Sequence, residues 1–249
     1  MIISSIRRVA FALSLIALSA TANAQDPWAG QEFLTDYSKL QPIPGKEGKD
    51  FAYIAPQAFE VAGKYNSVML DQPEVFISAD SPYKGAKPED VAAIAGLIRS
   101  TTAAALQERG YKLVDQPAAD TVYARMAVTD LQISKKKRSL MSYTPMGFVV
   151  NAGVKALQDF MDKYDILDMA LQVELQDSMN HDVLAAAVLQ RGKSADATKP
   201  ISFDAMVAAT NELSERFACR LDNGHVPADQ RIDCADPVAR KARPKLVGL

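Results

Sequence analysis

The stretch LQDSMNHDVLAA, residues 175–186, gathers Asp177, Asn180, His181 and Asp182 into one short polar step, the densest set of metal-ligating or proton-transferring groups in the chain. Carboxylates, an amide and an imidazole at such spacing could hold a cation. The DxDxDG pattern with a distal glutamate that defines an EF-hand loop is absent, however. Ser, Asn and Asp also favour turns, because their side chains bond the nearby backbone and Asn tolerates positive φ. The stretch is therefore read as the connection of a β-hairpin, with His181 an exposed turn residue and no metal. A second acidic group, Asp222, His225, Asp229 and Asp233, matches no metal spacing and reads as a solvated loop.

Other chemistries lack their residues. His181 and His225 are the only imidazoles, so a zinc site would have to rely on carboxylates. Neither GxGxxG nor GxxxxGK[ST] occurs, and there is no GxSxG elbow. No cofactor is expected and no catalytic residue is assigned.

Cys219 and Cys234 are the only cysteines. Their meaning depends on compartment, which the first residues address. Arg7 and Arg8 precede the apolar run Val9–Ala20, which leads into Ala22-Asn23-Ala24. Basic start, short apolar core and A-x-A motif read as a secretory signal cut between Ala24 and Gln25. The apolar run is shorter than the roughly 20 residues that a membrane span needs. The expected destination is the periplasm. An exported pair of cysteines is expected to form a disulfide, which for a loop of about 15 residues stabilises by roughly 3 kcal/mol. Cleavage would remove two of the 28 basic residues and none of the 30 acidic ones. The resulting acidic balance argues against nucleic acid as a partner. No later stretch is apolar enough to span a bilayer.

The elements that would carry these groups follow from periodicity. Residues 25–50 are rich in proline and glycine without a sustained period and read as an extended leader, pinned by Trp28, Phe33, Leu34 and Tyr37. A strand is expected over 67–77, with Pro73 placing it at an edge or bulge. Pro88–Arg109 reads as a helix, with proline at its start, Glu89 and Asp90 in its first turn and Gly110 behind it. Alternation in 121–128 slips at Thr129-Asp130, which predicts a bulge. In 165–177, Leu167, Met169, Leu171, Val173 and Leu175 alternate with Asp168, Ala170, Gln172, Glu174 and Gln176, giving one buried face and one wet face. Val183–Leu189 is a further strand. Phe203–Leu221 is a helix with Ser202 as cap and Gly224 just beyond it. The order predicts a single α+β domain over 51–222, with a mixed or mainly antiparallel sheet and helices packed mostly on one face. Residues 223–249 form a tail stapled by the disulfide.

Between the strands lies a basic run, Lys135, Lys136, Lys137 and Arg138, followed by Leu140, Met141 and Phe148. Cations beside apolar side chains suit contact with an anionic membrane surface or an envelope protein.

Three stretches, FLTDYSKL at 33–40, ERGYKLVDQPAADTVYARMAVTDL at 108–131 and VELQDSMNHDVLAAAV at 173–188, resemble the bacterial family called domain of unknown function 3313. That resemblance implies export and residence in the cell envelope, as in lipoproteins. It carries over no activity and no catalytic residue. Lipoproteins need a cysteine at the cleavage point, and Gln25 stands there, so a lipid anchor is not expected.

The leading expectation is an exported, non-enzymatic interaction module of the envelope. A periplasmic protein binding a small ligand or lipid, in a pocket between the sheet and residues 146–161, is the alternative. A hydrolase working through carboxylates comes third.

Overall fold

The computed structural model of the protein describes residues 32–44, 50–136, 152–190 and 199–242. The expected signal segment with Ala24 and Gln25, Trp28, and Lys137, Arg138, Leu140, Met141 and Phe148 lie outside the described residues. From Glu32 onward the chain clusters as one compact α+β unit.

Its frame is an eight-stranded mixed sheet. Three long strands form the centre: β6 (Thr121–Lys135), β7 (Tyr164–Asp177) and β8 (Val183–Gln190), each antiparallel to the next. On the β8 side follow β2 (Asp50–Ile54) and β1 (Gln41–Pro42), both antiparallel. On the other side β3 (Ser67–Leu70) runs parallel to β6, and β5 (Lys112–Leu113) runs parallel to β3. β4 (Glu74–Ile77) pairs with β6 further along the same edge. Pro73 explains that division. It cannot donate to a ladder, so the apolar run 67–77 breaks at Asp71–Pro73 and resumes as a second short strand.

The expected slip in β6 is a bulge between Thr129 and Gln132, where Asp130 adopts φ 53°. It puts Leu131 and Ile133 on the face already occupied by Val122, Ala124, Met126 and Val128.

Against that face pack α2 (Pro88–Glu108), α3 (Ala152–Met161) and α4 (Phe203–Asn223). Ile94, Leu97, Ile98 and Leu106 of α2, Leu157 and Phe160 of α3, and Met206 of α4 complete one apolar cluster with the sheet. Gly110, at φ 95°, turns the chain out of α2 in a conformation open to glycine without penalty. Ser202 caps α4 by accepting the Ala205 N–H at 3.2 Å. Gly224, behind α4, is right-handed at φ −70°. A Cβ there would stand 2.4 Å from that of Ala62, and glycine is what lets the two segments meet.

The described residues also hold two short helices, α1 (Ala58–Val61), continued by a 3-10 turn over Ala62–Lys64, and α5 (Pro237–Ala242) in the tail, which follows a 3-10 turn over Ala228–Gln230. Cys219 and Cys234 are bonded, with Cα atoms 5.8 Å apart, so the tail is fastened to the last turns of α4. No helix among the described residues is long and apolar enough to cross a membrane.

Candidate functional sites

The alternation along β7 misleads in two respects, the first being that Ile166 rather than Leu167 enters the core. Leu171, Val173 and Leu175 do face the helices, but the opposite row of Gln172, Glu174 and Gln176 is not wet. All three are buried, and Glu174 has no exposed surface. The leader covers them. Phe33, Leu34 and Leu40 are buried against this second face. Pairing places Arg125 beside Glu174, Ala127 beside Gln172 and Tyr123 beside Gln176.

Four donors converge on Glu174. Thr35 gives its backbone N–H at 2.7 Å and its hydroxyl at 2.9 Å, Arg125 its guanidinium at 3.0 Å, and Gln176 its amide at 2.7 Å. The Arg125 guanidinium also stacks over Phe33, 4.8 Å from the ring centre. Tyr37 donates to Gln172 Oε1 at 2.7 Å while its oxygen accepts the Phe33 and Leu34 N–H groups. A buried carboxylate requires such full engagement, since a half-satisfied one would cost several kcal/mol. Glu174 and Gln172 thus act as a socket for the leader.

The opening stretch resolves into two parts. Asp177 is not in the turn. It ends β7, is buried on the helix-facing side, and accepts bonds from Lys64 Nζ and Tyr65 Oη at 2.8 Å each and from the Met179 N–H at 2.9 Å. Burial alone would raise its pKa; the bonds from Lys64, Met179 and Tyr65 outweigh it and bring the carboxyl to about 2. Burial and the Asp177 bond push the Tyr65 phenol up to about 12. The connection itself is 178–182, where Asn180 and Asp182 bond each other and His181 sits exposed at φ 62°. The His181 ring meets Tyr123 edge-on and Gln176 Oε1 at 3.3 Å. Among the described residues no group of three or more His, Cys, Asp or Glu is placed to hold a metal.

The second acidic group separates as well. Asp222 is not solvated: it is fully buried, 3.3 Å from the Arg109 guanidinium at the end of α2. His225 lies edge-on to Tyr111, and burial lowers its pKa, partly offset by a bond to the Tyr65 backbone.

Of the basic segment, Lys135 and Lys136 are described. The Lys135 ammonium lies over the Tyr83 ring at 5.7 Å. Lys136 donates to the Met161 carbonyl at 2.5 Å, at the end of α3, and lies 3.7 Å from Asp165. Both are anchored where β6 ends.

A cleft of about 420 Å³ opens at the other edge of the sheet, lined by Leu70, Asp71, Arg99, Val114, Asp115 and Tyr123 among others. Tyr123 donates to Asp71 at 2.6 Å, and burial followed by that bond raises the phenol to about 12. This is not the place between the sheet and 146–161 where the sequence suggests a pocket; residues 146–151 lie outside the described residues.

Sequence reasoning misses Arg125, Thr35 and Tyr37 as partners of the β7 row. A signal exists: an arginine on one strand opposite a glutamate on the next argues for a shared site rather than two solvated side chains.

The chain belongs to the family described as Protein of unknown function (DUF3313), whose profile matches residues 29–217. None of the curated proteins matches it. Among the solved structures with a weak likeness are two dodecamers of PelC from Paraburkholderia phytofirmans. One, a point variant, is 12% identical, with 66% of this chain and 92% of that chain covered and a TM-score of 0.34. The other is 11% identical, with 66% and 90% covered and the same TM-score. Likeness at that level carries no argument about this chain.

Proposed function

We propose that the chain is an exported, periplasmic, non-enzymatic interaction module of the cell envelope. The observation that carries this reading is the use made of its buried acids. Asp177 holds Lys64 and Tyr65, Glu174 holds Arg125 and Thr35, and Asp222 holds Arg109. Groups that could move protons are engaged in fastening the leader, the hairpin and the tail. The Cys219–Cys234 bond supports an oxidising compartment, in line with the basic, apolar and A-x-A pattern at the N-terminus. The contact surface is proposed at the basic and apolar segment that begins with Lys135 and Lys136. The anchoring of those two side chains fixes where it leaves the sheet.

Fractionation and crosslinking test the proposal. The protein is expected in the periplasmic fraction with Gln25 at its N-terminus, and crosslinked envelopes should yield it attached to a partner through residues 135–148. Recovery as an uncleaved cytoplasmic chain, or as an uncrosslinked monomer only, overturns it. Flotation with anionic vesicles at low salt separates the two surfaces: a partner protein predicts no flotation.

A further inference from the structure

The cleft at the sheet edge holds a charge that the fold does not use. Arg99 stands midway along α2, half-buried, and among the described residues it makes no hydrogen bond or ion pair. A guanidinium has five donors, and none of the Arg99 nitrogens is sealed from solvent. Here they face the opening.

The surroundings specify what could answer that charge. Asp71 is held in place, its two oxygens accepting from the Tyr123 hydroxyl and the Gln72 N–H. Asp115 is exposed on the same rim, without a partner among the described residues. Leu70 and Val114 supply an apolar wall. That wall is rigid, because Asp71 and Val114 both continue the sheet ladder, bonding Ala124 and Val68 carbonyls at 3.1 Å.

Its position is also telling. β3 ends at Leu70 and β5 at Leu113, the two strands are parallel, and α2 lies in the connection between them. The cleft therefore lies outside the carboxyl ends of parallel strands, the general location of ligand crevices in such units.

A simple anion at Arg99 would meet the repulsion of Asp71 and Asp115, and a simple cation at those carboxylates would meet Arg99. A molecule bearing both charges is complementary to all three. We infer that this cleft is a binding site for a small zwitterion of the α-amino-acid class, its carboxylate on the Arg99 fork, its ammonium toward Asp71 and Asp115, and an apolar side chain against Leu70 and Val114. The Arg99 guanidinium suits a carboxylate because its planar fork can donate two parallel bonds. Asp71, already fixed by Tyr123, is preorganised to accept an ammonium without losing side-chain freedom on binding. This site is independent of the leader socket and of the segment that begins at Lys135.

The test uses the full chain and three probes: L-leucine, isovalerate, which keeps the carboxylate and loses the amine, and isoamylamine, which keeps the amine alone. In amide NMR titrations, leucine is expected to shift resonances at 69–72, 99 and 114–115 with millimolar affinity. Each half-ligand should bind at least about tenfold more weakly, as the loss of one charged hydrogen bond implies. Arg99→Gln should weaken leucine by a similar factor and leave the thermal midpoint unchanged, since Arg99 bonds nothing in the described fold. No leucine shift at tens of millimolar overturns the site. So do shifts that survive Arg99→Gln. Equal affinity for leucine and either half-ligand overturns the zwitterion.

Discussion

Thr35 places both its backbone N–H and its hydroxyl on the Glu174 carboxylate, at 2.7 and 2.9 Å, across 139 residues of sequence. This contact turns a leader of turns and bends into part of the fold. Glutamine at 174 would keep the shape but offer one acceptor oxygen to four donors. Glu174→Gln is therefore expected to destabilise by about 2–4 kcal/mol, as when one partner of a buried pair is lost. A double-mutant cycle with Thr35→Ala should show a coupling of about 1–2 kcal/mol in urea unfolding. Additive losses would place the leader elsewhere.

Asp177 makes stability depend on acid. Its carboxyl sits at about 2 in the folded chain against an ordinary 3.8. A depressed carboxyl contributes stability that is full above the unfolded value and fades as pH falls through the folded one. The loss should run from about pH 4 to pH 2 and amount to about 2 kcal/mol at most, because Lys64 is half exposed and screened. Asp177→Asn should lower stability at neutral pH and flatten that part of the acid limb. Unfolding free energies measured across this range decide it.

The disulfide closes a loop between residues 15 apart in sequence. Cross-linking a loop of that size restricts the unfolded chain by about 3 kcal/mol. The Cys219→Ser, Cys234→Ser double variant should lose about that much. Added reductant should lower the thermal midpoint of the natural chain toward that of the variant and leave the variant unmoved.

Much of this architecture is legible in the residues. Pro88 and Gly110 bracket α2, the slipped alternation at Thr129-Asp130 marks a real bulge, and Ser202 caps α4, because these signals act over a few neighbouring residues. What the pattern misreads is burial by distant segments. Gln172, Glu174 and Gln176 look solvated, since alternation cannot reveal that residues 33–40 return to cover them. Asp177 and Asp222 look like turn and loop acids, because Lys64, Tyr65 and Arg109 are far away in sequence. Arg99 is lost among ordinary helix charges until the ends of β3 and β5 bring Asp71 and Asp115 to the rim of the same cleft. Polar side chains take their meaning from partners, and partners come from the fold.

The Arg109–Asp222 pair offers the sharpest separation of charge from shape. Asp222 is fully buried and Arg109 nearly so; the Arg109 Nη2 also donates to the Arg240 carbonyl at 2.6 Å, tying the ends of α2 and α4 to α5. Removing the cation alone leaves a fully buried carboxylate without its guanidinium, so Arg109→Met should cost about 3–5 kcal/mol. Replacing both charges, Arg109→Met with Asp222→Leu, removes the desolvation penalty as well as the attraction, and most of that loss should be recovered. The tail should report the remainder. With the Arg240 carbonyl bond gone, amides of residues 237–242 should exchange faster in both variants, while those of β6 and β7 slow again only in the double one. A double variant as unstable as Arg109→Met would show that the ion pair carries net stability of its own.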